Sequence, residues 1–254
     1  MQFKSVTWNI GGGKYLKEGE DPLLMASYSV DAVSQIADWL MAANPDVITL
    51  QEVQGHENSN QIAEIARFLG YEYYFFDATS PSHIDEGKTL GNGVISKYPL
   101  SDHSTGTFFN PGITADLQGK IVTSHDKGWG ACSVSIDGLI VTVMTLHLIP
   151  FRAFDIDLVS ETGKAILRSV EGAVPSGATR LLIQGDFNID TPELRSMMAG
   201  LFSDGMEEIF LGEPTTPSGK RYDHVLYKGL SLAGTRIDHS VKTDHYPVVC
   251  DFTV

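Results

Sequence analysis

Polar side chains of the kinds that bind metal ions or move protons follow, or open, several apolar strand-like runs of this chain. Strand ends are rigid, so the side chains there can be held with the precision that catalysis requires. Carboxylate, amide and imidazole groups together suit two chemistries: oxygen ligation of a hard divalent cation, and acid–base catalysis by a histidine with a carboxylate partner. The positions are Asn9, Glu52, His147, Asp186, Asn188, Asp223, Asp244 and His245.

Each of these positions also has a simpler explanation when it is considered alone. Asn9 could be a turn residue that bonds its own backbone, and Glu52 could be a solvated charge. Asp186, in the segment Gly-Asp-Phe-Asn, could mark an ordinary turn, and His245 could be a surface imidazole. Their recurrence at the ends of strand-like runs favours one shared site over separate explanations.

The elements that must hold these residues alternate between short β-type runs and longer helix-type runs. Apolar residues at helical spacing predict helices within residues 29–42, 62–69 and 156–170. Asp137-Gly138 between two apolar runs predicts a β-hairpin, and two stretches, 11–25 and 77–90, resemble long surface loops. No repeat or linker divides the sequence, which therefore predicts a single α/β domain over residues 1–254, with two packed sheets and outer helices.

The charge balance excludes one class of protein. The chain has 254 residues, with 18 Lys and Arg against 32 Asp and Glu, which gives a formal net charge of −14 at pH 7. A protein this acidic is not a general polyanion binder with a basic surface, because its average field repels phosphate backbones. A local cationic or metal-filled site is compatible with this charge.

The cysteines and the first residues indicate the surroundings of the protein. Cys132 and Cys250 lie in apolar, strand-like contexts, which favours buried free thiols, although a disulfide stays open. The first ten residues lack the charged and apolar regions of a signal peptide, and the longest apolar run, 139–149, is too short to span a bilayer. We therefore expect a soluble, cytoplasmic or already processed protein, with no stable membrane insertion and no evident protein partner.

Seven short motifs give the chain a family resemblance. In chain order they are TWNI, LQEV, GNGVISKYP, TLHL, GDFN, YDHVLY and TDHYPV, and they run from residue 7 to residue 248. This series resembles that of the endonuclease/exonuclease/phosphatase superfamily, which includes deoxyribonuclease I-like nucleases, tyrosyl-DNA phosphodiesterases, deadenylases, sphingomyelinases and inositol-polyphosphate 5-phosphatases. The resemblance implies a four-layer α/β sandwich with two central, mostly antiparallel β-sheets and helices on both outer faces.

The resemblance also implies a divalent metal ion. Glu52 resembles the glutamate that binds the metal, with Asn9 beside it, and Asp244 resembles a metal-side carboxylate. Oxygen ligands of this kind suit Mg²⁺, with Mn²⁺ as a substitute. Where some members carry a further acidic ligand, this chain has Gly11, which leaves more of the ligation to the other three residues or to water. A glycine there could instead admit substrate close to the backbone, or belong to a flexible loop.

Five further residues resemble the catalytic groups of the family. Asp186 resembles the carboxylate that orients or deprotonates the attacking water, and Asn188 resembles a ligand of a phosphate oxygen. His245 resembles the histidine that stabilises the charge developing on the phosphoryl group, and Asp223 the carboxylate that favours its imidazolium form. His147 occupies the position of a His or Tyr that donates to the phosphate, and it could help to protonate the leaving oxygen.

Three residues are candidates for substrate binding around the reacting centre. Asn92 resembles a position near the substrate, although its flanking glycines fit a plain bend equally well. Arg152 could reach a phosphate or could pair with Asp155 instead. Trp129 could stack on a base or ring at the rim of the site, or it could be ordinary packing.

These residues together predict hydrolysis of a phosphate ester by in-line attack of water, with a phosphodiesterase or nuclease as the leading interpretation. The lack of basic tracts favours single-stranded, terminal or small phosphodiester substrates. One alternative is a phosphatase that acts on a small phosphorylated metabolite, an inositol phosphate or a lipid headgroup. Another is a binding module that has lost catalysis.

Overall fold

The computed structural model describes residues 1–117 and 119–254, and most of its regular structure is β-strand. Within these residues there are three α-helices: α1 (Val33–Ala43), α2 (Gln61–Leu69) and α3 (Glu161–Ala173). In chain order the strands are β1 (Gln2–Asn9), β2 (Lys14–Leu16), β3 (Tyr28–Asp31), β4 (Val47–His56), β5 (Ser59–Asn60), β6 (Tyr73–Pro81), β7 (Thr89–Ser96), β8 (Leu100–Thr107), β9 (Thr114–Leu117), β10 (Lys120–Thr123), β11 (Gly128–Ile136), β12 (Leu139–His147), β13 (Leu181–Asp186), β14 (Glu207–Glu208), β15 (Asp223–Lys228), β16 (Ser231–Ile237) and β17 (Val248–Thr253).

Two large sheets organise these strands. The first has the order β16-β17-β1-β4-β7-β6, with β5 paired to β4, and the second has the order β14-β15-β13-β12-β11-β8. Neighbouring strands in both sheets are antiparallel, except that β1 is parallel to β4 and β12 is parallel to β13. The predicted hairpin joins β11 to β12, with Ile136 opposite Leu139.

Three clusters of buried apolar side chains define the layers. Helices α1 and α2 pack on the outer face of the first sheet, where Leu40 and Ile62 share a cluster with Trp8. A second cluster joins the facing sides of the two sheets and includes Leu182. The third joins α3, through Ile166, to the other face of the second sheet. The structure thus confirms the four-layer α/β sandwich with helices on both outer faces.

Helices α1 and α3 begin later than the apolar spacing predicts, whereas α2 (Gln61–Leu69) agrees with the prediction. The helix expected within residues 29–42 begins at Val33, because the preceding residues form β3 and pair with β2. The helix expected within residues 156–170 begins at Glu161, where the Ser160 side chain accepts a hydrogen bond from a backbone N–H of the first turn. In the part of the chain that the structure describes, no helix has the length and apolar character needed to cross a membrane.

The two predicted loops are also more ordered than the sequence suggests. Strand β2 lies within residues 11–25, and the second stretch is reduced to residues 82–88 because β6 and β7 extend into it. Strand β8 was not predicted, since most of its residues are exposed and it has no apolar alternation.

Both cysteines are free thiols in the apolar cluster between the sheets. Burial raises the pKa of the Cys132 thiol and of the Cys250 thiol to about 12, so neither forms a thiolate at neutral pH. We expect Ellman's reagent to leave both thiols unmodified in the native protein and to modify both after denaturation in guanidinium chloride. Rapid modification of the native protein would contradict this placement.

Candidate active site

Three of the predicted residues lie side by side where the neighbouring strands β12, β13 and β15 of the second sheet end or begin. His147 is opposite Asp186 in the parallel β12–β13 pair, and Asp186 is opposite Asp223 in the antiparallel β13–β15 pair. All three side chains are buried. The register of three neighbouring strands therefore brings an imidazole and two carboxylates together.

The first sheet supplies the facing side of the site. Asn9 is the last residue of β1, and Glu52 lies at a bulge in β4, where the register with β7 shifts between Leu50 and Val53. Glu52 has a φ of 51°, a left-handed conformation that is uncommon for residues other than glycine, asparagine and aspartate. A bulge changes the direction of a side chain, and here the Glu52 carboxylate lies 3.9 Å from His147 Nε2 of the other sheet.

Two buried glutamines connect the sheets directly behind the site. Gln51 Nε2 donates to Thr145 Oγ1 at 3.0 Å, and Gln184 Nε2 donates to Thr49 Oγ1 at 3.0 Å. Sliding of one sheet over the other would leave these buried groups unpaired, at about 1–3 kcal/mol for each. The network therefore keeps the two halves of the site in a fixed relation.

Asp186 lies at the centre of this arrangement. Its Oδ2 accepts a hydrogen bond from Asn9 Nδ2 at 3.0 Å and lies 3.3 Å from His147 Nε2 and 3.6 Å from His245 Nε2. Its Oδ1 accepts a hydrogen bond from the Asn188 backbone N–H at 2.8 Å. Burial raises the pKa of Asp186 to about 7, while the charge of His245 and the two hydrogen bonds oppose that rise. A carboxyl group with a pKa near neutrality is suited to act as a general base.

His245 and Asp223 form a buried pair on one side of Asp186. His245 Nδ1 lies 2.8 Å from Asp223 Oδ2, and Trp8 Nε1 donates to the His245 carbonyl oxygen at 3.0 Å. Burial alone would lower the pKa of His245, but the charges of Asp223 and Asp186 outweigh it and place this pKa well above its ordinary value. His245 is therefore an imidazolium at neutral pH, and its Nε2–H is available to an anion.

The other side of the site fits a divalent metal ion. Among the described residues, Asp244 Oδ1 and Asp223 Oδ1 are buried without a hydrogen-bond partner, which is costly for a carboxylate. Gly11 makes room for the Asp244 oxygen: its φ is 51°, and a Cβ there would lie 2.7 Å from Asp244 Oδ1. Burial raises the pKa of Asp244 to about 6 against the opposing charge of His245, and the Glu52 carboxylate adds to the rise. These features, with Asn9 alongside, match the oxygen ligands that Mg²⁺ takes in proteins.

Among the described residues, the side chains whose ligand atoms have metal-binding spacing belong to a different group. One atom each from Asp186, Asp223 and His245 lie within 4.8 Å of one another. The imidazolium of His245 already supplies positive charge to both carboxylates. Asp223 Oδ1 and Asp244 Oδ1 both lack a hydrogen-bond partner in residues 1–117 and 119–254, but only Asp223 is paired with the imidazolium through its other oxygen, so the need for a cation is greater on the side of Asp244.

Lys127 belongs to the site, although the motifs did not reveal it. Its Nζ lies 3.2 Å from Glu52 Oε1 and 3.3 Å from His147 Nδ1, and the residue is 6% exposed. Burial alone would raise the pKa of Glu52, but the Lys127 charge and hydrogen bond, together with His147 and His83, outweigh it and lower this pKa below its usual range. Burial and the same ammonium lower the pKa of His147 well below its ordinary value. An ammonium can only donate, so the neutral His147 accepts at Nδ1 and carries its proton on Nε2, which faces Asp186.

The predicted hairpin contains the signal that could have identified Lys127. This residue comes directly before β11, and the start of β11 lies beside the end of β12 because the two strands are antiparallel. A polar residue before the first strand of a hairpin therefore lies at the same end of the hairpin as a residue that ends the second strand.

Asn92 and Trp129 have clear structural contacts. Asn92 is 1% exposed, and its Nδ2 donates to the Gly128 carbonyl oxygen at 2.8 Å, which fixes the backbone next to Lys127. Trp129 is half-buried, packs against the cluster that α3 covers and would contact a Cβ at Gly106. Trp129 thus makes the packing contacts that the sequence left open as its alternative role.

Arg152 is exposed near the mouth of the site. Burial raises the pKa of Tyr222, and the Arg152 charge opposes that rise, so the guanidinium lies within electrostatic reach of this phenol. The Tyr222 ring centroid lies 6.3 Å from that of His245. Tyr222 therefore lies beside the imidazolium, and Arg152 lies within electrostatic reach of Tyr222.

Comparison with known proteins agrees with this architecture. The model of the Endonuclease/Exonuclease/phosphatase family matches residues 6–245. The endonuclease/exonuclease/phosphatase from Beutenbergia cavernae DSM 12333 is similar over 100% of this chain and 72% of its own, with a TM-score of 0.76 and 22% identity. The D. rerio TDP2 complexed with single strand DNA product is similar over 100% of this chain and 99% of its own, with a TM-score of 0.59 and 15% identity.

A curated relative matches a shorter region. The UPF0294 protein of Vibrio campbellii (strain ATCC BAA-1116) is 26% identical over 114 residues, which make up 43% of this chain and 40% of that protein. The match therefore spans less than half of that relative's length. The family model covers nearly the whole sequence, and the chain belongs to the Endonuclease/Exonuclease/phosphatase family, whose members hydrolyse phosphate esters.

Proposed function

We propose that the chain is a divalent-metal-dependent hydrolase of phosphate esters that acts mainly on phosphodiesters. The observation that carries this proposal is the environment of Asp186, whose Oδ2 lies within 3.6 Å of ring nitrogens of both His147 and His245. A carboxylate between a neutral and a charged imidazole places a base next to two donors for an anion. Burial of so many polar groups is hard to explain by stability alone, because their desolvation is costly.

The roles of Asp186 and His245 in the mechanism follow from their protonation states. The Asp186 carboxylate orients the attacking water and accepts its proton. The imidazolium of His245 donates its Nε2–H to a phosphoryl oxygen and stabilises the negative charge that develops there. Asp223 holds the His245 ring through Nδ1 and keeps it charged, so it acts as a positioning residue.

Three further residues supply hydrogen-bond donors and positive charge around the phosphate. Asn188 Nδ2 donates to the Leu148 carbonyl oxygen at 2.9 Å, which fixes the amide and leaves its second N–H for a phosphate oxygen. His147 offers its Nε2–H to the phosphate or to the leaving oxygen. Lys127 adds a positive charge beside it.

Glu52, Asn9 and Asp244 would hold the metal ion. Their oxygen donors suit Mg²⁺, and Mn²⁺ can substitute for it. When it is bound, such an ion neutralises charge on the phosphate and stabilises the leaving oxygen.

The substrate is proposed to be a single-stranded, terminal or small phosphodiester. The net charge of −14 opposes capture of long duplexes, which depends on broad basic surfaces. The similar D. rerio TDP2 structure contains a single strand DNA product. We also propose that residues 1–254 form one catalytic domain, because the cluster between the sheets includes both Phe3 and Phe252.

Hydrolysis rates on a matched pair of chromogenic esters test this function. With Mg²⁺ present, we expect faster turnover of the diester bis-p-nitrophenyl phosphate than of the monoester p-nitrophenyl phosphate. Faster turnover of the monoester would instead support a phosphatase. The proposal would be contradicted if neither the two esters nor a short single-stranded oligonucleotide were hydrolysed with Mg²⁺ or with Mn²⁺. The remaining interpretation would then be a binding module.

A further inference from the structure

A cavity of about 670 Å³ lies between the loop of residues 82–88 and strand β10. Its lining includes His83, Glu86, Lys88 and Lys120. Burial lowers the pKa of His83, and the Glu52 charge opposes this shift, so the His83 ring lies within electrostatic reach of the proposed metal side. None of the four lining residues takes part in the catalytic arrangement described above, and the cavity is a separate feature beside it.

Two histidines stack next to this cavity. The rings of His83 and His125 have centroids 5.3 Å apart and planes inclined by 12°. Burial lowers the pKa of both imidazoles, and the charges of Lys127 and Lys120 lower both further. Each ring is therefore neutral at neutral pH and carries one N–H donor.

The loop that carries His83 is held in place by its own polar contacts. Ser82 Oγ accepts a hydrogen bond from the Asp85 backbone N–H at 3.2 Å, and the Ser82 N–H donates to the Lys88 carbonyl oxygen at 2.8 Å. Asp85 Oδ2 accepts a hydrogen bond from Gln54 Nε2 of β4 at 3.1 Å. A loop fixed in this way can bind a ligand at little entropic cost.

The lysines of the cavity differ in their partners. Lys88 Nζ forms an ion pair with Asp85 at 2.8 Å, so its charge is largely compensated. Lys120 has no carboxylate within 4.0 Å among the residues that the structure describes. Glu86 is an exposed carboxylate of the lining and opposes an anion there. Against this one group stand the Lys120 ammonium and the N–H donors of two neutral imidazoles, a set of donors that suits the oxygens of a phosphate.

We propose that His83, His125 and Lys120 bind a second phosphate group of the substrate, next to the phosphate that is hydrolysed. The substrate class is then a phosphodiester that carries a further phosphate group. This inference rests on the proposed function for the identity of the reacting phosphate. Binding of phosphate in the cavity does not depend on turnover.

Three dinucleotides with the same bases separate phosphate recognition from base recognition. Thymidylyl-thymidine lacks a terminal phosphate, while its 5′-phosphorylated and 3′-phosphorylated forms carry one at either end. We expect the KM for cleavage of the internal diester to be about tenfold lower for one phosphorylated form, as fits a charge-assisted contact. The end that gives the preference identifies the polarity of the bound strand.

Substitutions in the cavity should remove this preference without affecting the chemistry. In Lys120→Gln/His83→Asn we expect the KM values of the three dinucleotides to become equal, with kcat and the KM of thymidylyl-thymidine unchanged. Lys88→Gln is the matched control, because this lysine lines the same cavity but is paired with Asp85, and it should keep the preference. Glu86→Gln should strengthen the preference.

Two results would overturn the subsite. An equal rise in KM for all three dinucleotides in Lys120→Gln/His83→Asn would mean that the cavity contacts the bases. An unchanged preference for the phosphorylated form would mean that the cavity contacts no substrate.

A binding measurement covers the case in which the protein hydrolyses none of these compounds. Imidazole NMR signals of His83 and His125 should shift saturably on titration with inorganic phosphate in the wild-type protein, and should not shift in Lys120→Gln. Absence of a saturable shift in the wild-type protein would overturn the subsite, whereas absence of turnover alone would overturn only the proposed function.

Discussion

Replacing His245 with alanine is expected to lower kcat for bis-p-nitrophenyl phosphate by about 10²–10³-fold, the usual contribution of one positioned donor to the charge of the transition state. The physical reason is that the pair with Asp223 makes His245 the permanent cation of the site, with its free Nε2 3.6 Å from Asp186. Without the ring, the phosphoryl charge loses this donor and two buried carboxylates lose their cation. The loss should appear in kcat more than in KM, because the contact is strongest in the transition state.

The chain contains a matched control for this substitution. Asp238-His239 repeats the Asp-His sequence of Asp244-His245, but His239 is exposed and its Nε2 lies 3.2 Å from the Pro214 carbonyl oxygen. His239→Ala should keep wild-type kcat. Circular dichroism and the thermal midpoint should show that His245→Ala is folded, and wild-type kcat in a folded His245→Ala protein would rule out the assigned role.

The second large effect is expected for Glu52→Gln, which keeps the shape of the side chain and removes its charge. We expect the Mg²⁺ concentration for half-maximal activity to rise by about 100-fold or more, since even groups that only support metal ligands change metal affinity by about 10–100-fold. Titration of activity with Mg²⁺, with Mn²⁺ in a parallel series, measures this shift.

Glu52→Gln also leaves the buried ammonium of Lys127 without its carboxylate, so part of the effect could come from stability. The double variant Glu52→Gln/Lys127→Met removes that unpaired charge and should recover thermal stability while the Mg²⁺ requirement stays high. If the double variant regained the wild-type Mg²⁺ response, Glu52 would act by neutralising Lys127 and not as a metal ligand.

The sequence predicted the layers of the fold because the central strands are apolar on both faces. Residues such as Leu182 and Val143 pack between the sheets, so β12 and β13 stand out as continuous apolar runs. Strand β8 did not stand out, since it is an edge strand with most of its side chains in solvent. The start of α1 was predicted too early because Val30, which fits the helical spacing, lies in β3.

The candidate site was predicted as a list of residues but not as a geometry. Strand ends point to His147 and Asp186, but only the register makes them direct neighbours. The positive φ of Glu52 could not be predicted, because it depends on a bulge that appears when β4 pairs with β7. Lys127 was missed because a lysine ahead of a strand resembles a solvated charge until its burial is known.

The most direct test of metal-dependent hydrolysis at this site is the release of p-nitrophenol from bis-p-nitrophenyl phosphate. It should be measured for the wild-type protein before chelation with EDTA, after it, and after addition of excess Mg²⁺, with Asp186→Asn in parallel. We predict activity that disappears on chelation, returns with Mg²⁺ and is absent from Asp186→Asn under all conditions. Activity that survives chelation, or turnover by a folded Asp186→Asn protein at the wild-type rate, would contradict the central claim.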